Sequence, residues 1–259
     1  MDYETIKLVI DSPVATLTLN RPDALNALSP QMVEELTHAT DEVEKRAGVK
    51  ALVIRGEGRA FCAGADLKYM EQAFDDHSLL SSYLKAVNAF LFRLEELPLP
   101  VIGVVHGFAL AGGLELLLAC DMVIAAEDAH IGDQHANYGL MPGGGSTQRL
   151  PRKLGPQKAM ELLLTGRWLS GKEAEEWGLV LRAVPADKLE EELEKLLSTL
   201  RDKSRPGLGW IKQAALRGQN MSLRDGVAFE IHSFAQYVAT SSHPKEGIQA
   251  FKERRQPRF

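Results

Sequence analysis

At 259 residues, with a hydrophobic fraction of 45% and a charged fraction of 25%, the chain has the composition of an ordinary soluble globular protein, in one large domain or two small ones. A formal net charge of −5 speaks against a dedicated nucleic-acid binder, since only small positive patches interrupt it: Arg149, Arg152 and Lys153, then Lys252, Arg254, Arg255 and Arg258. The opening MDYETIKLVID lacks the basic and apolar regions of a secretory signal, and no apolar run approaches the roughly 18 residues of a membrane span, so cytoplasmic residence is the expectation. Cys62 and Cys120 lie in neither a CxxC pair nor a metal-like histidine spacing and read as reduced and structural, and no metal site is expected.

In chain order, IKLVI (6–10) and VATLTL (14–19) alternate around Asp11, Ser12 and Pro13, which predicts a β-hairpin. Ser29 before Pro30 is an N-cap followed by proline at the first helical position, and Met32, Val33 and Leu36 recur at helical spacing; the helix runs from about Pro30 to Lys45. ALVIRG (51–56) is a buried-type strand, and GRAFCAGADL leads from it to one helix and then a longer one around Leu79 to Leu94. PVIGVVHG (100–107) is a second such strand entering a glycine-rich turn, LELLLA a hydrophobic helix, and DMVIAAE (121–127) a third strand. Strand, small-residue loop, helix and strand recur, which predicts a layered α/β core. From Gly155 onward the chain reads as mainly helical with one short strand near Val180 to Val184, and the composition shifts near Pro185. Residues 1–185 are therefore expected to form the core, and 186–259 a helical cap or oligomerisation layer of the same domain.

GxxxxGK[ST], GxGxxG, GxSxG and HExxH are all missing from the sequence, which removes the commonest nucleotide, serine-hydrolase and zinc-protease readings. Two strand-to-helix turns of similar chemistry stand out, CAGAD (62–66) and LAGGLE (110–115). Small residues at such turns let a ligand oxygen approach backbone N–H groups, and two N–H groups aimed at one carbonyl oxygen form an oxyanion hole. Taken singly, each turn reads first as a tight connection in a packed α/β protein. Glu115 follows the second turn and sits among Leu114, Leu116, Leu117 and Leu118, where a carboxylate is costly unless something pairs with it or uses it.

The chain resembles the crotonase superfamily, the enoyl-CoA hydratase/isomerase family, over essentially its whole length. The stretches that carry the resemblance are LNRPDALNALS, GRAFCAGADLK, GVVHGFALAGGLELLLACD, GLMPGGGSTQRLPRKLG, LTGRWLSGKEAEEWGLV and the terminal EGIQAFKERR. It implies an α/β, ClpP-like spiral of repeated ββα units with a C-terminal helical region, assembled as homotrimers that pair into hexamers. It also implies an acyl-CoA thioester substrate of the kind handled in fatty acid metabolism. Neither a nucleic acid nor a membrane is implied as partner, and coenzyme A is part of the substrate rather than a separate cofactor. By matching motifs, the N–H groups of Ala65 and Gly112 would hold the thioester oxygen, and Ala24, Ala63, Asp66, Leu67 and Lys68 would contact the coenzyme A moiety. Phe251 and Arg254 fall where a neighbouring subunit's tail holds the adenosine end.

Glu115 matches the first of two acidic residues with which family hydratases position and deprotonate water, and burial would raise its pKa toward the operating pH. The alternative is a helix-borne glutamate satisfied by a backbone amide or by Arg149. The chain departs from the hydratase pattern in IGDQHANYGLMPGGG, where His135 stands in place of the second glutamate. Histidine exchanges protons readily, and Asp133, two residues away in an extended segment, would share its face and orient it or keep it charged. A histidine that merely satisfies a buried group is the other reading. His106, His130, Tyr69, Tyr83 and Tyr138 are expected to pack rather than react. The expected reaction is hydration of a 2-enoyl-CoA to a 3-hydroxyacyl-CoA through an enolate. Its rivals are isomerisation, hydrolysis or decarboxylation of an acyl-CoA, and a degenerate member that only binds acyl-CoA or RNA or serves as a scaffold. The acyl pocket is expected to draw on the stretch from Tyr69 to Tyr83, whose weak periodicity suggests a mobile segment.

Overall fold

The computed structural model describes residues 2–259. Strands β1 (Ile6–Asp11) and β2 (Val14–Leu19) pair antiparallel, from Ile6 opposite Leu19 to Asp11 opposite Val14. Their alternation puts Ala15, Leu17 and Leu19 fully inside. Helix α1 (Pro30–Lys45) starts on the Ser29 side chain, which accepts from Met32 N–H, and buries Met32, Val33, Leu36, Ala39 and Val43. β3 (Ala51–Gly56) lies parallel to β2. Helices α2 (Leu67–Phe74) and α3 (His77–Glu96) follow, then β4 (Val101–Val105), parallel to β3 and buried at every residue. Continuous apolar runs such as VIGVV suit strands covered on both faces.

After β4 come the short strand β5 (Phe108–Leu110), α4 (Gly112–Leu118), β6 (Met122–Ala126) and β7 (His130–Gly132). Helices α5 (Ser146–Leu154) and α6 (Pro156–Thr165), β8 (Trp168–Ser170), α7 (Gly171–Trp177) and β9 (Arg182–Val184) complete the core. The large sheet runs β1-β2-β3-β4-β6-β9 and the small one β5-β7-β8. Single bridges, Leu28 with Ala65 and Cys62 with Ala109, continue the ladder of the small sheet back toward the amino terminus. Each winding of the chain thus lays one strand in the large sheet, one rung beside the small sheet, and then a helix. This spiral stacks equivalent turns of successive windings on one another.

Helices α8 (Leu189–Arg201), α9 (Arg205–Gly218), α10 (Leu223–Thr240) and α11 (His243–Glu253) form the C-terminal region, with α10 packed on α9 and α11 on α10. The stretch beyond Gly155 holds two strands rather than one. β9 is the strand expected near Val180 to Val184, and β8 is additional, three residues too short to show alternation. The stretch from Tyr69 to Tyr83 is helical apart from Asp75 and Asp76, and the Asp76 side chain caps α3 by accepting from Ser78 and Leu79 N–H. That cap starts α3, as Asp66 starts α2.

Candidate active site

The loop after β3 and the turn after β5 are brought into contact by the rung between Cys62 and Ala109. A Cβ added to Gly112 would lie 3.3 Å from Gly64 Cα, and one added to Gly113 would lie 2.0 Å from the Cys62 carbonyl oxygen. Only glycine allows this approach at Gly113. Gly64 has φ +118°, and Ala111 carries φ 50° and ψ −115°, a conformation that costs a residue with a Cβ of order 1–3 kcal/mol. The Ala111 N–H is held by the Gly132 carbonyl at 3.0 Å. Gly112 is the first residue of α4, so its N–H has no intrahelical acceptor, and Ala65 precedes the cap of α2. Neither N–H has an acceptor among the described residues.

Glu115 stands one turn into α4 and is 3% exposed. Its Oε1 accepts from Gly144 N–H at 2.7 Å and from Ser146 N–H at 3.2 Å, while Oε2 takes no hydrogen bond among the described residues. A Cβ on Gly144 would fall 2.3 Å from Oε2, so the glycine run is what lets the loop close over the carboxylate. Burial raises the Glu115 pKa, outweighing the Ser146 and Gly144 N–H groups and the His135 charge, which lower it. Of the two partners anticipated for Glu115, the backbone amide is present and Arg149 is not. Arg149 instead pairs with Glu95 at 2.7 Å and donates to the Gly144 carbonyl at 2.9 Å.

Asp133 follows β7 and is fully buried. Its Oδ1 accepts from His135 N–H at 3.2 Å and meets His135 Nδ1 at 2.7 Å, and its Oδ2 has no hydrogen-bond partner among the described residues. The two side chains do share a site, but not by extended geometry. Gln134 is helical in conformation and His135 begins a short 3₁₀ turn to Tyr138, so an aspartate turn rather than strand alternation joins them. Burial lowers the His135 pKa, but the Asp133 hydrogen bond, the Asp133 charge and the Glu115 charge outweigh it, and the net shift is upward. Glu115 and His135 each feel the other's charge.

Ala24 ends a 3₁₀ turn from Pro22, and Ala63 N–H donates to the neighbouring Leu25 carbonyl at 3.0 Å. Asp66 caps α2 by accepting from Lys68 and Tyr69 N–H and pairs with Arg21 at 2.7 Å. Leu67 is 72% exposed, and Lys68 is exposed beside it. The structure therefore gathers Ala24, Ala63, Asp66, Leu67 and Lys68 at the edge that carries Ala65. Phe251 is 85% exposed on α11 and Arg254 caps that helix at φ 54°; among the described residues no hydrogen bond or ion pair joins either to the other five. His106 Nε2 bonds the Gly58 carbonyl at 2.7 Å, His130 packs between Phe108 and Trp168, and Tyr83 donates to the Leu28 carbonyl at 2.7 Å. Tyr69 lies tilted against Tyr83, with ring centres 5.2 Å apart, and Tyr138 is exposed. Sequence reasoning did not find Asn88 and Glu95, which act on the loop over Glu115 from 55 and 54 residues away and leave no local signal.

Windings of strand, rung and helix, with two small-residue turns and a buried glutamate where they stack, define the class of crotonase-fold enzymes. The chain belongs to the enoyl-CoA hydratase/isomerase family, which it matches over residues 10–259. It is 40% identical over 259 residues to a probable enoyl-CoA hydratase of Mycobacterium tuberculosis (strain CDC 1551 / Oshkosh), covering 100% of this chain and 99% of that one. It is likewise 40% identical over 257 residues to a probable enoyl-CoA hydratase of Bacillus subtilis (strain 168), covering 98% of each. Among solved structures, enoyl-CoA hydratase subunit I of Geobacillus kaustophilus HTA426 superposes with a TM-score of 0.92 at 40% identity, over 100% of this chain and 99% of that one.

Proposed function

We propose that the chain hydrates 2-enoyl-CoA thioesters to 3-hydroxyacyl-CoA, with Glu115 and His135 as the proton-moving pair. The observation that carries this reading is a buried glutamate with one unbonded oxygen, next to two N–H groups that have no acceptor and an imidazole held by a buried aspartate. The thioester oxygen accepts from Ala65 and Gly112 N–H, which draws electron density from the conjugated double bond. Glu115 removes a proton from water as the oxygen bonds to the β-carbon. The electron pair of the double bond moves toward the thioester oxygen, giving an enolate. His135, its Nδ1 on Asp133, delivers a proton from Nε2 to the α-carbon. Glu115 is left protonated and His135 neutral, and proton exchange between them or through solvent restores the site. Water, thioester and these side chains supply every proton and electron pair, so the proposal calls on no cofactor beyond the coenzyme A of the substrate.

Ala24, Ala63, Asp66, Leu67 and Lys68 are assigned to the coenzyme A moiety, with Asp66 acting through its cap on α2 and its Arg21 pair. Phe251 and Arg254 are assigned to the adenosine end of a coenzyme A held by a neighbouring chain, so the assignment carries a trimer or hexamer with it. Leu223, Ile231 and Phe234, 86%, 66% and 65% exposed along α10, supply an apolar face for such an assembly. A cytoplasmic location is part of the proposal, and two free, buried cysteines support it. No helix among the described residues is long and apolar enough to cross a membrane.

The test is to incubate the protein with a panel of short 2-enoyl-CoAs, following loss of the conjugated thioester absorbance and a gain of one water in product mass. Turnover of at least one member is expected. A protein inert toward all of them, in wild type and His135→Glu alike, overturns hydration and moves the reading to isomerase, hydrolase or decarboxylase chemistry. Light scattering at micromolar concentration is expected to give a trimer or hexamer, and a strict monomer overturns the shared adenosine site.

A further inference from the structure

The peptide joining Gly143 to Gly144 is hydrogen-bonded at both ends. Its N–H, on Gly144, donates to Glu115 Oε1 at 2.7 Å, and its carbonyl, on Gly143, accepts from Asn88 Nδ2 at 2.8 Å. The second amide hydrogen of Asn88 goes to the Leu84 carbonyl at 2.8 Å, which fixes the amide plane. The following carbonyl, of Gly144, accepts from Arg149 Nη1 at 2.9 Å. Arg149 is in turn gripped by Glu95, through Nε at 2.7 Å and Nη2 at 3.2 Å, and its guanidinium carbon lies 5.2 Å from the Phe92 ring centre. Asn88, Phe92 and Glu95 are spaced four and three residues apart on α3 and so share one helix face.

Three consecutive glycines have the greatest backbone freedom of any tripeptide, so local conformation does not fix where the Gly144 N–H points. The two carbonyl anchors fix it. Donation to the Gly143 carbonyl also polarises its peptide, which strengthens the N–H as a donor to Glu115. A guanidinium bonded directly to Glu115 would hold the carboxylate ionised and weaken it as a base. Acting through the peptide, with Glu95 balancing its charge, Arg149 orients the carboxylate without that cost.

We propose that Asn88 and the Arg149–Glu95 pair are positioning residues for this site, holding the Gly143–Gly144 peptide so that its N–H sets Glu115 in the orientation for abstracting a proton from water. The inference rests on Glu115 being the base. None of the three touches the reacting atoms; their effect passes through Glu115.

The test uses Asn88→Ala, Asn88→Asp and Glu95→Gln in the full chain, assayed with crotonyl-CoA or whichever 2-enoyl-CoA the wild type turns over fastest. Asn88→Ala is expected to lower kcat by roughly 10- to 100-fold, the range for a displaced catalytic group, with KM within about twofold. Asn88→Asp fails in the same way because a carboxylate cannot donate to the Gly143 carbonyl, and Glu95→Gln gives a smaller loss confined to kcat. A purely structural role lowers the folded fraction instead, which thermal melting and correction for active protein remove. The deciding measurement is Asn88→Ala combined with Glu115→Gln. Action through Glu115 predicts no further loss in the double variant, whereas two losses that multiply overturn the positioning role. Wild-type kcat in Asn88→Asp and Glu95→Gln, beside an inactive Glu115→Gln, overturns the positioning role alone. Wild-type turnover by Glu115→Gln overturns the base assignment itself.

Discussion

Glu115 keeps its shape as glutamine but loses its ability to accept a proton, so Glu115→Gln is expected to lower turnover by about 10²- to 10⁴-fold while thioester binding persists. Stopped assays alongside a binding titration separate the two effects. His135 bears on the pH profile as well as the rate. As base, Glu115 must be ionised, and burial holds its pKa above the usual glutamate range despite the Ser146 and Gly144 N–H donors, so activity falls on acidification at a higher pH than for a solvated glutamate. As acid, His135 must be protonated. Burial works against that, but Asp133 and Glu115 outweigh it, so activity falls on the alkaline side at a pH above the ordinary imidazole range. The limbs belong to the coupled pair. His135→Gln is expected to lose the alkaline limb and move the acid limb to higher pH, because the cation that favoured the Glu115 carboxylate has gone. A profile of kcat against pH in the two proteins checks this, and an unchanged alkaline limb sinks the proton-donor role. Glu115 was legible in the sequence because a lone carboxylate among leucines demands an explanation. The meeting of Asp133 with His135 was legible only as an outcome, since the turn that creates it begins with a helical Gln134 that extended geometry does not anticipate.

Elements decide how close the loop over Glu115 comes. Gly144→Ala would place a Cβ 2.3 Å from Glu115 Oε2, which only a shift of the loop or of the carboxylate relieves. The expected result is a loss of kcat on the order of 10²-fold with a cooperative thermal transition retained, since misplacing a catalytic group by about 1 Å costs that much. Gly218→Ala, near the end of α9 with no atom within 4 Å of the added Cβ, is the control and should leave kcat unchanged. Kinetics and melting curves of the two variants side by side settle the matter. The elements differ in how far the sequence announces them. Ser29-Pro30 spells the start of α1, and VIGVV spells a strand covered on both faces, because cap chemistry and burial act within a few residues. β5, β7 and β8 are three-residue rungs whose existence depends on stacking one winding upon another, so nothing in FAL, HIG or WLS alone marks them as strands. α3 was obscured at its start, where Asp76 and the serines hide the period although Asp76 supplies the cap.

At the scale of the molecule, a buried cation is among the ties between the C-terminal helices and the core. Lys212 on α9 is 8% exposed. Its ammonium pairs with Asp121 at 2.8 Å and donates to the carbonyls of Leu94 at 2.9 Å and Leu99 at 3.2 Å. Asp121 also accepts from Val101 N–H at 2.7 Å, so the end of α3, the start of β4 and the turn between α4 and β6 meet at one point. Burial raises the Asp121 pKa, and Lys212 is first among the groups that oppose the rise. Removing one partner of such a pair leaves a charge buried alone, which typically costs about 3–5 kcal/mol, whereas removing both costs much less. Lys212→Met is therefore expected to be strongly destabilised at neutral pH, and Lys212→Met combined with Asp121→Asn to recover part of the loss. The sign of the pH dependence follows from the carboxyl. Without the ammonium, the folded-state pKa of Asp121 rises further above its unfolded value, so the stability of the protonated form is present at low pH and is lost as pH rises through the folded pKa. The deficit of Lys212→Met relative to wild type should accordingly shrink on mild acidification. Urea unfolding of wild type, single and double variants at neutral and mildly acidic pH measures it. A deficit independent of pH and unrelieved by Asp121→Asn would mean that Lys212 contributes through the packing of its alkyl stem rather than through its charge.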